Sequence, residues 1–374
     1  MKIPPAASVP LVNSVRLVDR VVGKIDISTL QMELINPLVD PGWDRQVDSH
    51  PLGTVFHGRA WARVLTRTYG HGLLYARLWR GEDLAGLIPL VEVRSRITGC
   101  RGACLAFSDA CPPLLFAHDA LPFAAEKLIQ LARERKWKYL DIRGGPCPQP
   151  DAIPSMEFFT HHLNLRQGEA GLLESVSSSA RRAIRSGERK GLRVEMIQTE
   201  VAMRQYYQLH VRTRRRHGLP PQPPHFFLNI FDEFVARGRG AVVQASMGSR
   251  VVASAVFLWN AAKEAVYKFG ASDERRSALR GNYAVMWHAI RTLASAGYKT
   301  LDFGRTSLSN EGLCRFKRSW GATQGRLEYY RYDVTDGAWT QVADHAEGWH
   351  NRAFRLLPLV INRVAGRLIY PHLH

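Results

Sequence analysis

Apolar and polar positions along this chain fall into two successions of the same plan. In the first, apolar runs at 74–79 and 84–94 flank Gly81-Glu82-Asp83, turn-forming residues that predict a hairpin. A helix over about 122–135 follows, then the strand-like Lys138-Tyr139-Leu140-Asp141-Ile142-Arg143. In the second, 241–245 and 251–259 predict a hairpin around Met247-Gly248-Ser249-Arg250. A strand at Tyr267, a helix over 283–295 and the strand Thr300-Leu301-Asp302-Phe303 come next. The shared order of hairpin, loop, helix and Leu-Asp strand predicts a duplicated α/β domain. Its units are placed at 1–165 and 166–335, with 336–374 as a basic, apolar C-terminal tail helix.

Residues 1–13 read as an irregular arm and 15–32 as one or two strands. A helix-like segment starts at Asp40-Pro41-Gly42-Trp43, and a further helix is expected over 59–69. Phe107-Ser108-Asp109-Ala110-Cys111-Pro112-Pro113 is read as irregular, because consecutive prolines remove backbone donors. Between the units, a helix over about 177–191 gathers Arg181, Arg182, Arg185 and Arg189 on one stripe, opposite Val176, Ala180, Ala183 and Ile184. That stripe is either a solvated charged face or a phosphate-binding one. A helix over 201–217 ends in Arg212-Thr213-Arg214-Arg215-Arg216-His217-Gly218. Gly218 suits a C-terminal cap, and the arginines complement the helix dipole.

The net charge of +18 turns attention to anionic partners. The candidates are RNA, an anionic membrane surface, or a phosphorylated or lipid-linked substrate; DNA is not expected. Five cysteines without a Cys-x-x-Cys pair argue against a disulfide framework and fit a reducing cytoplasm. A zinc site on Cys100, Cys104 and Cys111 lacks supporting histidine spacing, so no metal is expected. No apolar run is long enough to span a bilayer. The tail from Trp349 to His374 suits either an interfacial helix on anionic lipid or a helix docked on the second domain.

Candidate chemistry concentrates in 267–321. A strand, the basic loop Arg275-Arg276-Ser277-Ala278-Leu279-Arg280 and a helix predict an anion site at the helix start. No Gly-x-Ser-x-Gly elbow is present, which disfavours a covalent serine mechanism.

The chain resembles the FemAB-like branch of the GNAT acyltransferase superfamily, in particular the FemAB-related proteins that accompany exosortase (PEP-CTERM) and exopolysaccharide systems. The resemblance covers about residues 40–335. Its carriers are Phe56-His57-Gly58-Arg59-Ala60-Trp61, Gly86-Leu87-Ile88-Pro89-Leu90, Phe107-Ser108-Asp109, Ala180-Arg181-Arg182-Ala183-Ile184-Arg185, Thr213-Arg214-Arg215-Arg216-His217-Gly218, Asp302-Phe303-Gly304-Arg305 and Phe316-Lys317-Arg318-Ser319-Trp320-Gly321. It implies two tandem GNAT-like domains, each a mixed, mostly antiparallel sheet flanked by helices. It further implies transfer of an aminoacyl or acetyl group to an amine of a cell-wall or exopolysaccharide precursor. No bound cofactor is implied; the acyl donor, aminoacyl-tRNA or acyl-CoA, is a co-substrate. The place of work is the cytoplasm, peripheral to the inner face of the plasma membrane.

By that resemblance Lys317 sits at the reaction centre, with Phe316 beside it, and Asp109 recognises the acceptor amine. The nearest match to the GNAT pyrophosphate loop, 276–281, has Leu279 where the family has a glycine, which disfavours coenzyme A there. Lys317 is a candidate for stabilising the carbonyl oxygen or the substrate's phosphates. Asp302 is a candidate base, or a cap for the next turn. Tyr267 is a candidate for orienting the donor or protonating a leaving group. Arg181, Arg185, Arg214, Asn282 and Arg305 are candidates for binding substrate. The competing expectation is a non-catalytic, basic RNA- or membrane-binding protein on a degenerate scaffold. A shared concave pocket for Lys317, Tyr267 and Asp109 or Asp302 separates the two.

Overall fold

The computed structural model describes residues 30–117, 119–342 and 354–373. The first half runs β1 (Leu30–Ile35), α1 (Trp43–Ser49), α2 (Arg59–Tyr69), β2 (Gly72–Leu73), β3 (Tyr75–Arg80), β4 (Asp83–Ile88), β5 (Val91–Ser95), β6 (Gly99–Ala103), β7 (Leu114–Leu115), α3 (Ala120–Glu134), β8 (Tyr139–Arg143) and β9 (Met156–Asn164). The second runs α4 (Gly168–Ser175), α5 (Ser178–Arg189), β10 (Arg193–Ile197), α6 (Glu200–Arg216), α7 (Pro224–Glu233), β11 (Gly240–Met247), β12 (Arg250–Trp259), β13 (Glu264–Ser272), α8 (Gly281–Ser295), β14 (Thr300–Asp302), β15 (Thr306–Ser307), α9 (Glu311–Arg318), β16 (Thr323–Asp333) and β17 (Ala338–Trp339). The tail carries α10 (Leu359–Ile369). The predicted arm and most of 15–32 lie outside the described residues.

Local chemistry sets the helix ends. The Thr199 hydroxyl accepts from the Ala202 N–H to start α6, and the Asn310 side chain accepts from Leu313 to start α9. α2 stops at Gly70, whose φ of 69° closes the helix in the left-handed region.

A small sheet orders β1-β3-β4-β7; a large one orders β10-β11-β12-β13-β14-β9-β16-β8-β6-β5-β2. Its pairs are antiparallel except β13 with β14 and β6 with β8. Helices flank the small antiparallel sheet and the large mixed one, as expected of two GNAT-like units. The halves exchange strands where they meet: β9 pairs with β14 of the second half, and β16 lies between β9 and β8. The sheet is therefore continuous across residues 165 and 166.

Aromatic packing seals the same junction. Trp61 of α2 is fully buried and meets Phe226 of α7 edge-on at 6.1 Å, with Phe56 and Phe234 close by. Truncating such a ring to alanine costs about 3–5 kcal/mol. The tail helix α10 docks through Asn362, Gly366 and the following Tyr370, all buried. At Gly366 a Cβ would stand 1.9 Å from the Pro221 carbonyl oxygen, so only glycine permits this approach.

Candidate active site

The site begins where two neighbouring strands part. β13 and β14 pair only over Glu264–Val266 against Thr300–Asp302. On its other edge β13 is bulged: Phe257 faces Tyr267 and Val256 faces Phe269, which leaves Lys268 as the extra residue. A bulge bends its strand and re-aims a side chain. Beyond the split a cleft of about 1570 Å³ opens, lined by Asp109, Tyr267, Lys268, Asn282, Arg305, Phe316 and Lys317 among others.

Asp109 reaches this cleft from the first half. Its loop carries positive φ at Leu105 (35°) and Phe107 (60°), conformations costly for side-chain-bearing residues. The loop is clamped: the Arg143 guanidinium of β8 donates to the carbonyls of Leu105 at 3.2 Å and Ser108 at 3.4 Å. The Tyr329 hydroxyl of β16 donates to the Asp109 carbonyl. The Asp109 carboxylate thereby meets the Lys268 ammonium at 3.0 Å. Lys268 also stands over the rings of Phe56 (4.8 Å), Phe269 (5.3 Å) and Trp61 (5.6 Å), whose π faces attract the cation and offset part of the cost of burying it. Gly304, at φ 70°, lies against the carboxylate; a Cβ there would stand 3.0 Å from its Oδ2.

Lys317 comes from α9, inside Phe316-Lys317-Arg318-Ser319-Trp320-Gly321. Trp320, fully buried, anchors the end of this segment in the second core, with Phe316 edge-on at 5.8 Å. Gly321 takes φ 79°, and a Cβ there would meet Ser175 at 2.5 Å. Lys317, three residues before the tryptophan, is held on the inward side. Its Nζ donates to the carbonyls of Gly304 at 2.7 Å and Arg305 at 3.1 Å. Arg305 spreads over the rings of Phe158 (4.4 Å) and Tyr329 (5.2 Å).

Burial and charge oppose one another in this cluster. Burial alone would raise the Asp109 pKa, but Lys268, Arg305 and Lys317 outweigh it and hold the carboxyl below its usual range. Burial pushes Lys317 down to about 8, although Asp109 and Asp302 pull the other way. Burial also lowers Lys268, opposed by Asp109. Burial raises the Tyr267 hydroxyl to about 12, so it is a neutral donor at ordinary pH.

Lys317, Tyr267, Asp109, Arg305, Phe316, Asn282 and Arg214 share the cleft wall. Asn282 donates to the Ser272 hydroxyl at 3.2 Å. Arg214 donates to the Tyr370 hydroxyl at 2.8 Å and the Pro220 carbonyl at 3.2 Å, so it ties the tail to the cleft edge. Asp302 stands behind the wall: its Oδ1 accepts from the Gly304 N–H at 2.8 Å and lies 3.9 Å from His162 Nδ1. Burial raises its pKa, against His162 and the Gly304 N–H. It caps the turn that presents Gly304, whereas Asp141, its counterpart in the first half, pairs with both ends of the Arg331 guanidinium at 2.6 and 2.8 Å.

Arg181 and Arg185 are not brought to the cleft. They sit on the outer side of α5, whose inner residues Ala180 and Ile184 are buried. The loop 275–280 also lies outside the lining. Its Arg276 and Arg280 N–H groups bond back to Asp273 and Ser277, and the Lys190 ammonium donates to the Ala278 carbonyl at 2.6 Å. The Arg276 and Arg280 amides of the expected anion site are thus occupied within the loop.

Lys268 was not among the residues expected from sequence. Its signal was a lysine inside the otherwise apolar and aromatic Ala265-Val266-Tyr267-Lys268-Phe269. Among the described residues no group of three or more His, Cys, Asp or Glu is placed to hold a metal, and all five cysteines are free thiols.

Residues 174–318 match the family described as Acetyltransferase (GNAT) domain. No curated protein matches the chain by sequence. Among solved structures, FemX aligns at a TM-score of 0.59 and 15% identity, over 80% of this chain and 96% of that one. A conserved protein of unknown function from Bacteroides thetaiotaomicron aligns at 0.52 and 13%, over 81% and 98%. A tandem GNAT protein from the clavulanic acid biosynthesis pathway aligns at 0.51 and 12%, over 82% and 98%. At these identities the likeness is one of fold. The strand split and the sheet shared between the halves go with these likenesses: the chain has the tandem fold of FemX and of the tandem GNAT protein, and its residues 174–318 match the GNAT acetyltransferase domain.

Proposed function

We propose that this protein is an N-acyltransferase that moves an aminoacyl or acetyl group to an amine of a cell-wall or exopolysaccharide precursor. The observation that carries this reading is the convergence of Asp109, Lys268, Tyr267 and Lys317, from two halves of the chain, on one concave wall. A non-catalytic scaffold has no need of a clamped, strained loop that aims a carboxylate at two lysines.

The roles follow from charge. Asp109, held ionised, is a weak base and a strong anchor; it grips the acceptor's ammonium and positions the amine that forms when a proton leaves to solvent. Lys317 spends two of its three N–H groups on carbonyls, and the remaining one serves the carbonyl oxygen of the acyl group. The amine nitrogen attacks the acyl carbon and a C–N bond forms. The C–O bond of an aminoacyl ester, or the C–S bond of a thioester, then breaks. The attacking nitrogen gives up its second proton to solvent; the leaving oxygen or sulfur takes one from the neutral Tyr267 hydroxyl, which solvent then reprotonates. Asn282, Arg305 and Phe316 shape the room around the donor and acceptor.

Leu279 in the place of the family's glycine, on a loop outside the cleft lining, favours a donor held by the cleft itself, and therefore aminoacyl-tRNA over acyl-CoA. A phosphorylated or lipid-linked glycan precursor suits the arginines at the cleft edge. The work is placed in the cytoplasm, next to the membrane that carries such precursors. The test is equilibrium binding of the purified protein to aminoacyl-tRNA and to acetyl-CoA, followed by transfer of labelled acyl group to an amine-bearing precursor. Binding of neither donor, with no transfer, overturns the proposal.

A further inference from the structure

The tail helix α10 is apolar on two opposite sides. One side is docked, through Asn362, Gly366 and the Tyr370 that follows. On the other, Val360, Ile361, Val364 and Leu368 each keep half or more of their surface exposed. At about 100° per residue these four fall within an arc of roughly 100°, opposite the docked side. Arg363 and Arg367 run along one border of that arc, both exposed. Residues 354–373 hold three arginines and no carboxylate, and none of the three makes an ion pair among the described residues. Upstream, Leu356 is 83% exposed.

We propose that α10 is an interfacial helix that lays this stripe into the headgroup region of an anionic bilayer. Three observations select that occupant. The stripe is bordered by arginines, which complement lipid phosphates. A second copy of the chain seated on the stripe would face these arginines with its own, without a carboxylate in 354–373 to offset them. The whole chain carries +18, which draws it to an anionic surface. No helix among the described residues is long and apolar enough to cross the membrane, so the contact is peripheral.

The helix is also wired to the cleft. Arg214 lines the cleft and donates to Tyr370 at the end of α10, while Arg355, just before α10, lines the cleft mouth. A helix lying on the membrane therefore holds that mouth next to lipid-linked molecules moving in the bilayer plane. This last consequence rests on the acyl-transfer reading; the membrane contact does not.

The test is co-sedimentation of the full chain with vesicles of phosphatidylcholine, with and without phosphatidylglycerol. Binding is expected to the phosphatidylglycerol vesicles and to weaken with salt. Val364→Glu with Leu368→Glu is expected to weaken it roughly tenfold or more, and Arg363→Gln with Arg367→Gln to remove the preference for phosphatidylglycerol. The melting temperature of the Val364/Leu368 variant should stay at the wild-type value, since both positions are exposed; that of the arginine variant should fall slightly, because Arg363 lies 5.8 Å over the Tyr207 ring. Absence of vesicle binding overturns the proposal, as does unchanged binding by the Val364/Leu368 variant. So does a concentration-dependent dimer in sedimentation velocity that this variant abolishes while vesicles are ignored, which gives the stripe to a second copy. Vesicle binding without any acyl transfer leaves the proposal standing and removes the enzymatic reading alone.

Discussion

Asp109 and Lys268, 159 residues apart, form an ion pair at 3.0 Å that joins a strained loop of the first half to a bulged strand of the second. Neither side chain is placed by its own half alone. The pair is therefore a joint between halves as well as part of the candidate site.

Removing one partner tests both roles. Lys268→Met leaves Asp109 without its main cation and lets its pKa rise. The expected cost is about 2 kcal/mol in urea unfolding, below the usual cost of breaking a buried pair because Asp109 keeps contact with the cleft. Asp109→Asn combined with Lys268→Met should recover much of that loss, since no buried charge is left unpaired. A double variant no more stable than Lys268→Met would contradict the coupling.

Lys317→Ala should lower the transfer rate by about a hundredfold or more, because a donor aimed at a developing oxyanion is lost. The fall should sit in kcat more than in KM, with a folded circular dichroism spectrum. Wild-type turnover in this variant would remove Lys317 from the mechanism.

The depressed pKa of Lys317 gives a pH signature with a definite sign. Its folded value of about 8 lies below the ordinary 10.5. Between these values the unfolded chain binds more protons at this position, so its contribution to stability rises as pH increases from about 8 to 10.5. Lys317→Met should flatten that rise in a series of denaturation curves. Catalysis runs the other way: if the ammonium stabilises the oxyanion, kcat declines as pH passes about 8.

Gly270 leaves room for Tyr267. A Cβ at 270 would stand 1.8 Å from the Tyr267 hydroxyl oxygen. Gly270→Ala should therefore displace that ring, destabilise the chain by about 1–3 kcal/mol and depress transfer. Adding Tyr267→Phe removes the colliding oxygen and should restore part of the stability but not the transfer rate. Equal stability of the single and double variants would show that the ring has another place to go.

Arg181→Gln with Arg185→Gln should leave transfer within about twofold of wild type, as changes on an exposed face generally do. Steady-state kinetics checks this, and a larger fall would return the α5 stripe to the substrate path.

The elements with strong local patterns were legible in the sequence. The β11–β12 hairpin and helices α2, α5, α6 and α8 fall close to their predicted spans, because turn residues, caps and apolar spacing act within a few residues. β9 and β16 had no predicted counterpart, and they are the strands that join the halves. Their partners lie far away along the chain, so no local pattern reveals the exchange. Site residues divide in the same way. Lys317 could be singled out from Phe316-Lys317-Arg318-Ser319-Trp320-Gly321, whose Trp320 and Gly321 explain its inward hold. Lys268 had only the weaker signal of a lysine in an apolar run, because a one-residue bulge aims it and Phe56 and Trp61 of the other half house it. Arg181 and Arg185 looked like ligands because a periodic stripe tells which residues share a face, not which way that face turns.

The strand exchange also sets an order of events during synthesis. β8 is laid down by residue 143, yet its antiparallel neighbour β16 begins only at Thr323. Until the ribosome has passed that point, β8 stands with one edge open, and β9 waits with both edges open for β14 and then with one open for β16. Open strand edges invite wrong pairing. A nascent chain stalled short of residue 323 should therefore be the form most in need of a chaperone, and release of the last strand the event that ends that need.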